Sequence, residues 1–448
     1  MKYWSKYLVV DRVDEDTVIW SSLLSRGCLI KDPDKKIYES VKSGKWDESI
    51  DPSIKMNIEK REFILEEEQL RAEHKLIAKI RSEIVFDDSF MSLTLIPTDT
   101  CNFRCIYCYQ SDTVHNMSYQ VADSIVKMIS AKSNLKYLHI SWFGGEPLCN
   151  KKMVFYLMEE INKVCKKNGV VLVADMTTNA SLLDFDTFMK LYSLRVLHYQ
   201  VTIDGCKSTH DLQRPLASGG SSFELIMKNL RSIRDNVKAK LFRIGIRTNF
   251  TPDVDKNFDE LKRILIEEFS GDKRFYFFFQ WVKNWGGERI KGLKNELMDD
   301  EKAISKYGRW MDVMSQTDVR TGDITMIRAC SGLCVGSRKN SYLVNYDGKL
   351  HKCTTCIYDD EYHDKSEIGY IDSNGRVIID KWKEIDWISC DADMNVCTKC
   401  NMYPICLGMP CPYFKIKLKK ITCNRNDTYL RFMLRALARQ GYIESISI

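Results

Sequence analysis

The chain has 448 residues, a length that suits about three domains of ordinary size. Hydrophobic residues make up 44% and charged residues 29%, which excludes a wholly disordered chain. The net charge of +6, from 67 Lys and Arg against 61 Asp and Glu, is too mild to point to nucleic acid. Residues 1–88 read as a small separate unit. The segment TVIWSSLL, rich in β-branched and aromatic residues, predicts a strand, with Arg26-Gly27 as the turn after it. DPDKKIYESVKSG predicts a short helix with Asp32 as its N-cap and Gly44 as its stop. REFILEEEQLRAEHKLIAKIRSE predicts a long charged connector helix with Leu65, Leu70, Leu76, Ile77 and Ile80 as its apolar positions.

From 89 to 285, strand-like runs at 92–98, 136–143, 170–178, 195–204, 240–250 and 275–282 are separated by helical stretches such as 121–132, 152–167 and 222–235. Repeated β-α units predict an α/β fold, a parallel sheet or partial (β/α)6 TIM-like barrel, with function at the C-terminal ends of the strands. Residues 286–325 read as a polar, charged bridge. A cysteine-rich domain follows over 326–448. Within it, Phe414-Lys-Ile-Lys-Leu-Lys-Lys-Ile421 alternates apolar and cationic residues and predicts a solvated edge strand.

The 17 cysteines are the unusual feature: seven lie before residue 330 and ten from there on. No run approaches the roughly 18 apolar residues of a membrane helix. The opening MKYWSKYLVVDRVDED is broken by acid too early for a secretory signal. A cytoplasmic chain with neither membrane nor nucleic acid as partner is therefore expected, and there thiols serve metal or redox chemistry rather than disulfides.

Two motifs stand at strand ends. Cys101, Cys105 and Cys108 follow the first strand of the β-α series. Three thiolates so close can hold three irons of a cubane cluster, leaving a fourth iron open to a ligand. The alternative is a zinc site completed by a fourth ligand such as His115. Trp142-Phe-Gly144-Gly145-Glu146-Pro147 ends the second strand. Two glycines let backbone approach a ligand closely, and the glutamate offers an acceptor for an ammonium group.

The pattern CxxxCxxC, with the aromatic Tyr107 before its last cysteine, followed by GGEP, resembles the radical S-adenosylmethionine superfamily. The resemblance implies a 4Fe–4S cluster on Cys101, Cys105 and Cys108. The open iron would bind S-adenosylmethionine, and reduction would release a 5′-deoxyadenosyl radical that removes hydrogen from an unactivated C–H bond. Tyr107, Gly144, Gly145 and Glu146 would contact the cofactor, the last three at its amine. Thr178 and Asn179 match the ribose-contacting segment. Asp204, with His210 and Arg214 beyond it, resembles the fourth-strand segment of the peptide-modifying branch. Arg247 is a candidate partner for the cofactor's carboxylate, a charge-assisted contact.

Gly348-x4-Cys353, Cys397-x2-Cys400-x5-Cys406 and the later Cys411 and Cys423 resemble the SPASM domain, an auxiliary-cluster module. This chain has four residues between Cys406 and Cys411 where the family usually has three. The resemblance implies one auxiliary 4Fe–4S cluster on Cys330, Cys334, Cys353 and Cys411. It implies a second on Cys397, Cys400, Cys406 and Cys423, for three clusters in all. A zinc-ribbon pair is the competing reading. Thr354 stands where sulfatase-type maturases carry an aspartate, which argues against that branch. Cys356 is a candidate alternate ligand or hydrogen-donating thiol. The other cysteines (Cys28, Cys149, Cys165, Cys206 and Cys390) read mostly as small buried hydrophobes.

The layout of residues 5–70 is similar to the winged-helix-like leader-binding module of peptide maturases, which adds a peptide as an extra strand. A structural cap on the barrel is the alternative. The expectation is a radical enzyme that crosslinks a ribosomally made precursor peptide, served by an electron donor such as flavodoxin or ferredoxin. Its rivals are thioether formation, epimerisation with a cysteine hydrogen donor, and a non-catalytic zinc-binding peptide adaptor.

Overall fold

A computed structural model describes residues 2–446 apart from 112, 294–296, 360, 391–393, 410, 420–422 and 424–426. Five short strands open the chain: β1 (Lys2–Trp4), β2 (Leu8–Val13), β3 (Asp16–Ser21), β4 (Arg26–Lys31) and β5 (Ile64–Glu66). Next come β6 (Phe90–Leu95), β7 (Tyr137–Trp142), β8 (Val171–Thr178), β9 (Val196–Thr202), β10 (Arg243–Phe250) and β11 (Phe275–Trp281). The last are β12 (Ser341–Val344), β13 (Lys349–His351), β14 (Glu367–Ile371), β15 (Val377–Ile379) and β16 (Ser445–Ile446). The chain folds into two compact units, each drawn from separate stretches: 1–85, 304–337 and 389–448 in one, 86–303 and 338–388 in the other. The linear divisions expected at 88/89, 285/286 and 325/326 do not describe this arrangement. Packing joins segments that are far apart in the sequence.

The second unit holds the six expected strands of the β-α series. β6 to β11 are parallel and neighbour one another in chain order, and β12 adds parallel to β6. β13, β14 and β15 extend the sheet antiparallel. Alternation along the strands gives the two faces different chemistry. Leu93, Leu138, Ile140, Trp142, Met176 and Ile246 are fully buried. Thr94, Ser141, Asp175, Gln200 and Arg247, on the opposite face, are only partly covered. Amphipathic helices such as Tyr119–Ser130, Lys151–Asn168 and Ser222–Asn236 connect the strands. Ser118 and Ser221 cap the first and third of these by accepting from Val121 N and Glu224 N. The result is the open parallel (β/α)6 fold that the sequence predicts, with loops leaving the C-terminal strand ends.

In the first unit, β2, β3 and β4 are antiparallel, with β16 parallel to β4, while β1 pairs with β5. Trp4, Leu8, Ile19, Ile30, Ile54 and Phe63 are among the side chains of its core. Several local expectations are corrected here. Arg26-Gly27 is not a turn but the start of β4. The chain reverses at 22–25, where Ser25 takes φ 55°, and Gly27 lies so close to Ile19 O that a Cβ would stand 2.6 Å away. The helix Lys36–Ser43 starts later than Asp32 predicted. That carboxylate still accepts from Ile37 N (3.2 Å) and Tyr38 N (3.0 Å), and Gly44 ends the helix at φ 71° as expected.

The long charged helix begins only at Glu67, because residues 64–66 are drawn into β5. Residues 414–418 are helical, not a strand: Pro412 opens the helix Pro412–Leu418 from its first turn, and Lys420 and Ile421 lie outside the described residues. The polar bridge contains the helix Asp300–Met314. From Ile304 on it belongs to the first unit, with Tyr307, Trp310, Met311 and Met314 fully buried. Among the described residues, no helix is long and apolar enough to cross a membrane.

Candidate active site

The loop after β6 carries Cys101, Cys105 and Cys108, and none of the three is in a disulfide. Among its described residues it has no helix or strand of its own between 96 and 118, so neighbours must hold its shape. The segment 213–217 does so. Arg104 N donates to Pro215 O (2.8 Å), Ile106 N to Gln213 O (3.0 Å) and Ala217 N to Asn102 O (2.9 Å). Phe103 is buried between Cys101 and Cys105 and bridges to Leu216. The Cys101 sulfur accepts from Phe103 N at 3.4 Å. Burial pushes the Cys101 thiol up to about 12, helped by the charge of Glu146. It pushes Cys105 up to about 11 against the pull of Arg214. In the free protein these thiols keep their protons, so a metal must displace them on binding.

The Gly144-Gly145-Glu146 turn serves this loop directly. A Cβ on Gly144 would stand 2.4 Å from Thr98 O, and one on Gly145 would stand 2.3 Å from Asp99 O. Gly145 N donates to Thr98 O (3.2 Å) and Glu146 N to Thr100 O (2.9 Å). The close approach that requires glycine here is therefore to the chain's own 98–100 segment, just before Cys101. Glu146 is buried, with Oε1 accepting from Leu148 N (3.0 Å) and Thr178 Oγ1 (2.8 Å), and Oε2 from Asn179 N (2.7 Å). Burial raises its pKa, opposed by these donors. Asn179 Nδ2 donates to Asn102 Oδ1 (2.8 Å), so Glu146, Thr178 and Asn179 form one network that reaches the residue after Cys101.

A second network gathers at the ends of β9 and β10. The Tyr107 hydroxyl donates to Asp204 Oδ2 and accepts from Arg214 Nη1 (2.8 Å) and Asn249 Nδ2 (3.1 Å). Asp204 is fully buried, and its Oδ1 accepts from Asn249 N (2.7 Å). Its own N donates to His210 Nδ1 (3.0 Å). Burial raises the Asp204 pKa against the opposing charge of Arg214, and burial drives that of His210 well below its ordinary value. Arg247 Nε donates to Asn249 Oδ1 (2.7 Å). Burial lowers its pKa, although Tyr107 and Asp204 oppose that.

Taken by sequence, residues 95–271 match the Radical SAM superfamily. The chain carries a Radical SAM domain. It is an enzyme of the radical SAM kind, and such a domain takes a 4Fe–4S cluster and S-adenosylmethionine. A GTP 3',8-cyclase of Clostridium perfringens (strain SM101 / Type A) is 24% identical over 298 residues, 63% of this chain and 86% of that protein. A cysteine-type anaerobic sulfatase-maturating enzyme of Clostridium novyi (strain NT) is 23% identical over 346 residues, 70% of this chain and 86% of that protein. Among solved structures, native anSMEcpe with bound AdoMet and Kp18Cys peptide aligns with a TM-score of 0.58 at 18% identity, over 78% of this chain and 98% of that one. Streptococcus suis SuiB bound to precursor peptide SuiA aligns with a TM-score of 0.51 at 14% identity, over 96% of this chain and 99% of that one. Both share the fold of this radical SAM enzyme.

The donor set fits the cluster: three thiols outside any disulfide on one loop, Cys101 within electrostatic reach of the other two. Among the described residues, no three Cys, His, Asp or Glu side chains gather as the ligands of a single ion would. A cubane does not ask for that, since each thiolate meets a different iron. His115, the alternative fourth ligand, is held by Asp99: its N and Nδ1 each lie 2.6 Å from a carboxylate oxygen, and its ring stacks on Tyr346. Cys356 is fully buried, and its thiol donates to Tyr362 O at 3.1 Å. Beside Cys108, Tyr109 and Tyr358 pack at 6.0 Å and line a cavity of ≈ 550 Å³ that Gln110, Arg289 and Asp359 also border.

The first unit holds a second thiol group. Cys406 lies within electrostatic reach of Cys397, Cys400 and Cys423, and burial pushes it up to about 12. Cys330 and Cys397 pack against the buried Tyr7, Ile77, Tyr403 and Leu407. Of the other expected ligand set, Cys330, Cys334 and Cys411 belong to the first unit and Cys353 to the second. Among the remaining cysteines, Cys28, Cys165 and Cys206 are buried as expected. Cys149 is exposed, and Cys390 is half-buried beside Arg81 Nη1 at 3.0 Å.

Sequence reasoning singled out Arg214 but missed Asn102 and Phe103, the role of the surrounding segment 213–217 as a clasp, and Asn249 as the bridge between Tyr107 and Arg247. The adjacency of Asn102 to the first cysteine was the one available signal. The clasp at 213–217 is a long-range contact with no local signature.

Proposed function

We propose that this radical SAM enzyme is a peptide maturase that abstracts hydrogen from a ribosomally made precursor and installs a crosslink within it. The observation that carries the reading is the second thiol group, Cys397, Cys400, Cys406 and Cys423, in a unit separate from the Radical SAM domain. Two separate thiol groups suit one cluster that starts the reaction and another that takes up the leftover electron. The peptide as substrate draws support from the two solved structures of like fold, anSMEcpe with bound Kp18Cys peptide and SuiB bound to precursor peptide SuiA. The buried network around Glu146 orders the cysteine loop. Arg247 is held through Nε by Asn249, which leaves its two Nη groups for the carboxylate of S-adenosylmethionine. When bound, cluster and cofactor supply a 5′-deoxyadenosyl radical; the protein's part is to bind, orient and exclude water.

Three 4Fe–4S clusters, a leader peptide on the N-terminal strands, an external electron donor such as flavodoxin or ferredoxin, and a cytoplasmic location complete the reading. The epimerase alternative asks Cys356 to meet a substrate carbon. Its full burial and its bond to Tyr362 O suit a structural thiol better.

The test incubates reconstituted enzyme with reductant, S-adenosylmethionine and the peptide of a short open reading frame beside the gene. The work is done anaerobically in deuterated water, followed by full back-exchange. A product two hydrogens lighter supports the crosslink, and fragmentation locates it. Unchanged connectivity with one deuterium kept on carbon would mean epimerisation and would sink the proposal. A colourless protein that holds zinc but no iron would point to the adaptor instead.

A further inference from the structure

The clasp that holds the cysteine loop contains a charge that mere holding does not need. Arg214 is 7% exposed and lies with its guanidinium 5.6 Å over the Phe103 ring. Its Nη1 donates to the Tyr107 hydroxyl, while its Nε is buried without a hydrogen-bond partner. Asn249 Nδ2 already supplies the same hydroxyl with a neutral donor. A buried cation is costly unless a negative charge answers it. Asp204 answers only in part: it stands 3.9 Å away, well beyond a bidentate pair, with its oxygens engaged by Tyr107 and Asn249 N. The other group in reach is Cys105, on the stretch of loop whose backbone bonds residues 213 and 215, and its sulfur becomes negative once a metal displaces its proton.

We infer that Arg214 is the counter-charge of the three-cysteine cluster and sets its reduction potential, with Asp204 as the opposing charge joined to it through the Tyr107 hydroxyl. The inference rests on the reading of this loop as the cluster site. Reduction adds one negative charge to the cluster. A buried cation beside it stabilises the reduced form and raises the midpoint, and a buried anion lowers it. Both residues act as positioning groups through the field they create; neither needs to touch the substrate.

The test is an EPR-monitored redox titration of the full-length reconstituted protein, with the C101A/C105A/C108A triple variant subtracted to isolate the first cluster. Arg214→Met should move the midpoint to more negative potential, and Arg214→Lys should stay close to the parent. Asp204→Asn should move the midpoint the opposite way, which a merely structural role would not do. An assembled cluster with an unchanged midpoint in Arg214→Met overturns the inference. Should that variant fail to assemble its cluster, an unchanged midpoint in Asp204→Asn overturns it as well. Equal iron content in the parent and the triple variant would instead remove the cluster reading, and the inference with it.

Discussion

Gly145→Ala separates two explanations of the Gly-Gly turn. If the glycines serve only a bound ligand, the ligand-free protein should not feel the change. The structure places the cost in the chain itself. An alanine Cβ would stand 2.3 Å from Asp99 O and 2.5 Å from Thr100 O, and both are backbone atoms that no rotamer change can move. The 98–100 segment must then shift, straining the bonds Gly145 N to Thr98 O and Glu146 N to Thr100 O. Two weakened hydrogen bonds at about 1 kcal/mol each, with overpacking of about 1–3 kcal/mol, lead to a loss of about 3–5 kcal/mol. For a unit of this size that lowers the melting temperature by roughly 5–15 °C. Thermal unfolding of iron-free protein, followed by circular dichroism, reads the effect, and iron retention after reconstitution should fall alongside it. A variant that melts with the parent and binds iron normally would refute the reasoning.

Glu146→Gln keeps the volume but replaces one acceptor oxygen with a donor that faces Thr178 Oγ1 or Asn179 N. Urea denaturation of iron-free protein should show a loss of about 2–3 kcal/mol; no loss would mean the carboxylate is not fixed by this network. His210 is buried and neutral, with its pKa well below the ordinary value of 6.5. The unfolded chain therefore binds the extra proton first, and stability should fall as pH drops below about 6.5, by up to roughly 1.4 kcal/mol per pH unit. His210→Asn, which retains an acceptor for Asp204 N, should flatten that slope; an unaltered slope argues against a neutral His210. Trp310→Ala should destabilise the first unit by about 3–5 kcal/mol, since the ring is fully buried. A change within the noise of a chemical denaturation curve would mean that this stretch is a linker after all.

Local sequence was enough for the β-α series and its chemistry. All six strands of that series formed where β-branched and aromatic runs predicted them. The cysteine triplet and the Gly-Gly-Glu turn stand at the C-terminal ends of β6 and β7, because period-2 burial and turn residues act over a few neighbours. Long-range contacts decided the rest. The helix Asp300–Met314 reads as polar until Trp310 and Tyr307 find a core far away in sequence. Gly144 and Gly145 are needed because the 98–100 backbone crosses them, not because of their own turn. Asp204 reads only as part of a fourth-strand segment until Tyr107, Asn249 and Arg214 close around it. Hydrophobic periodicity and turn propensity are properties of a few adjacent residues and survive in the one-dimensional pattern. A buried charge or a glycine under a crossing chain takes its meaning from partners 45 to 97 residues away, and only the folded chain brings those together.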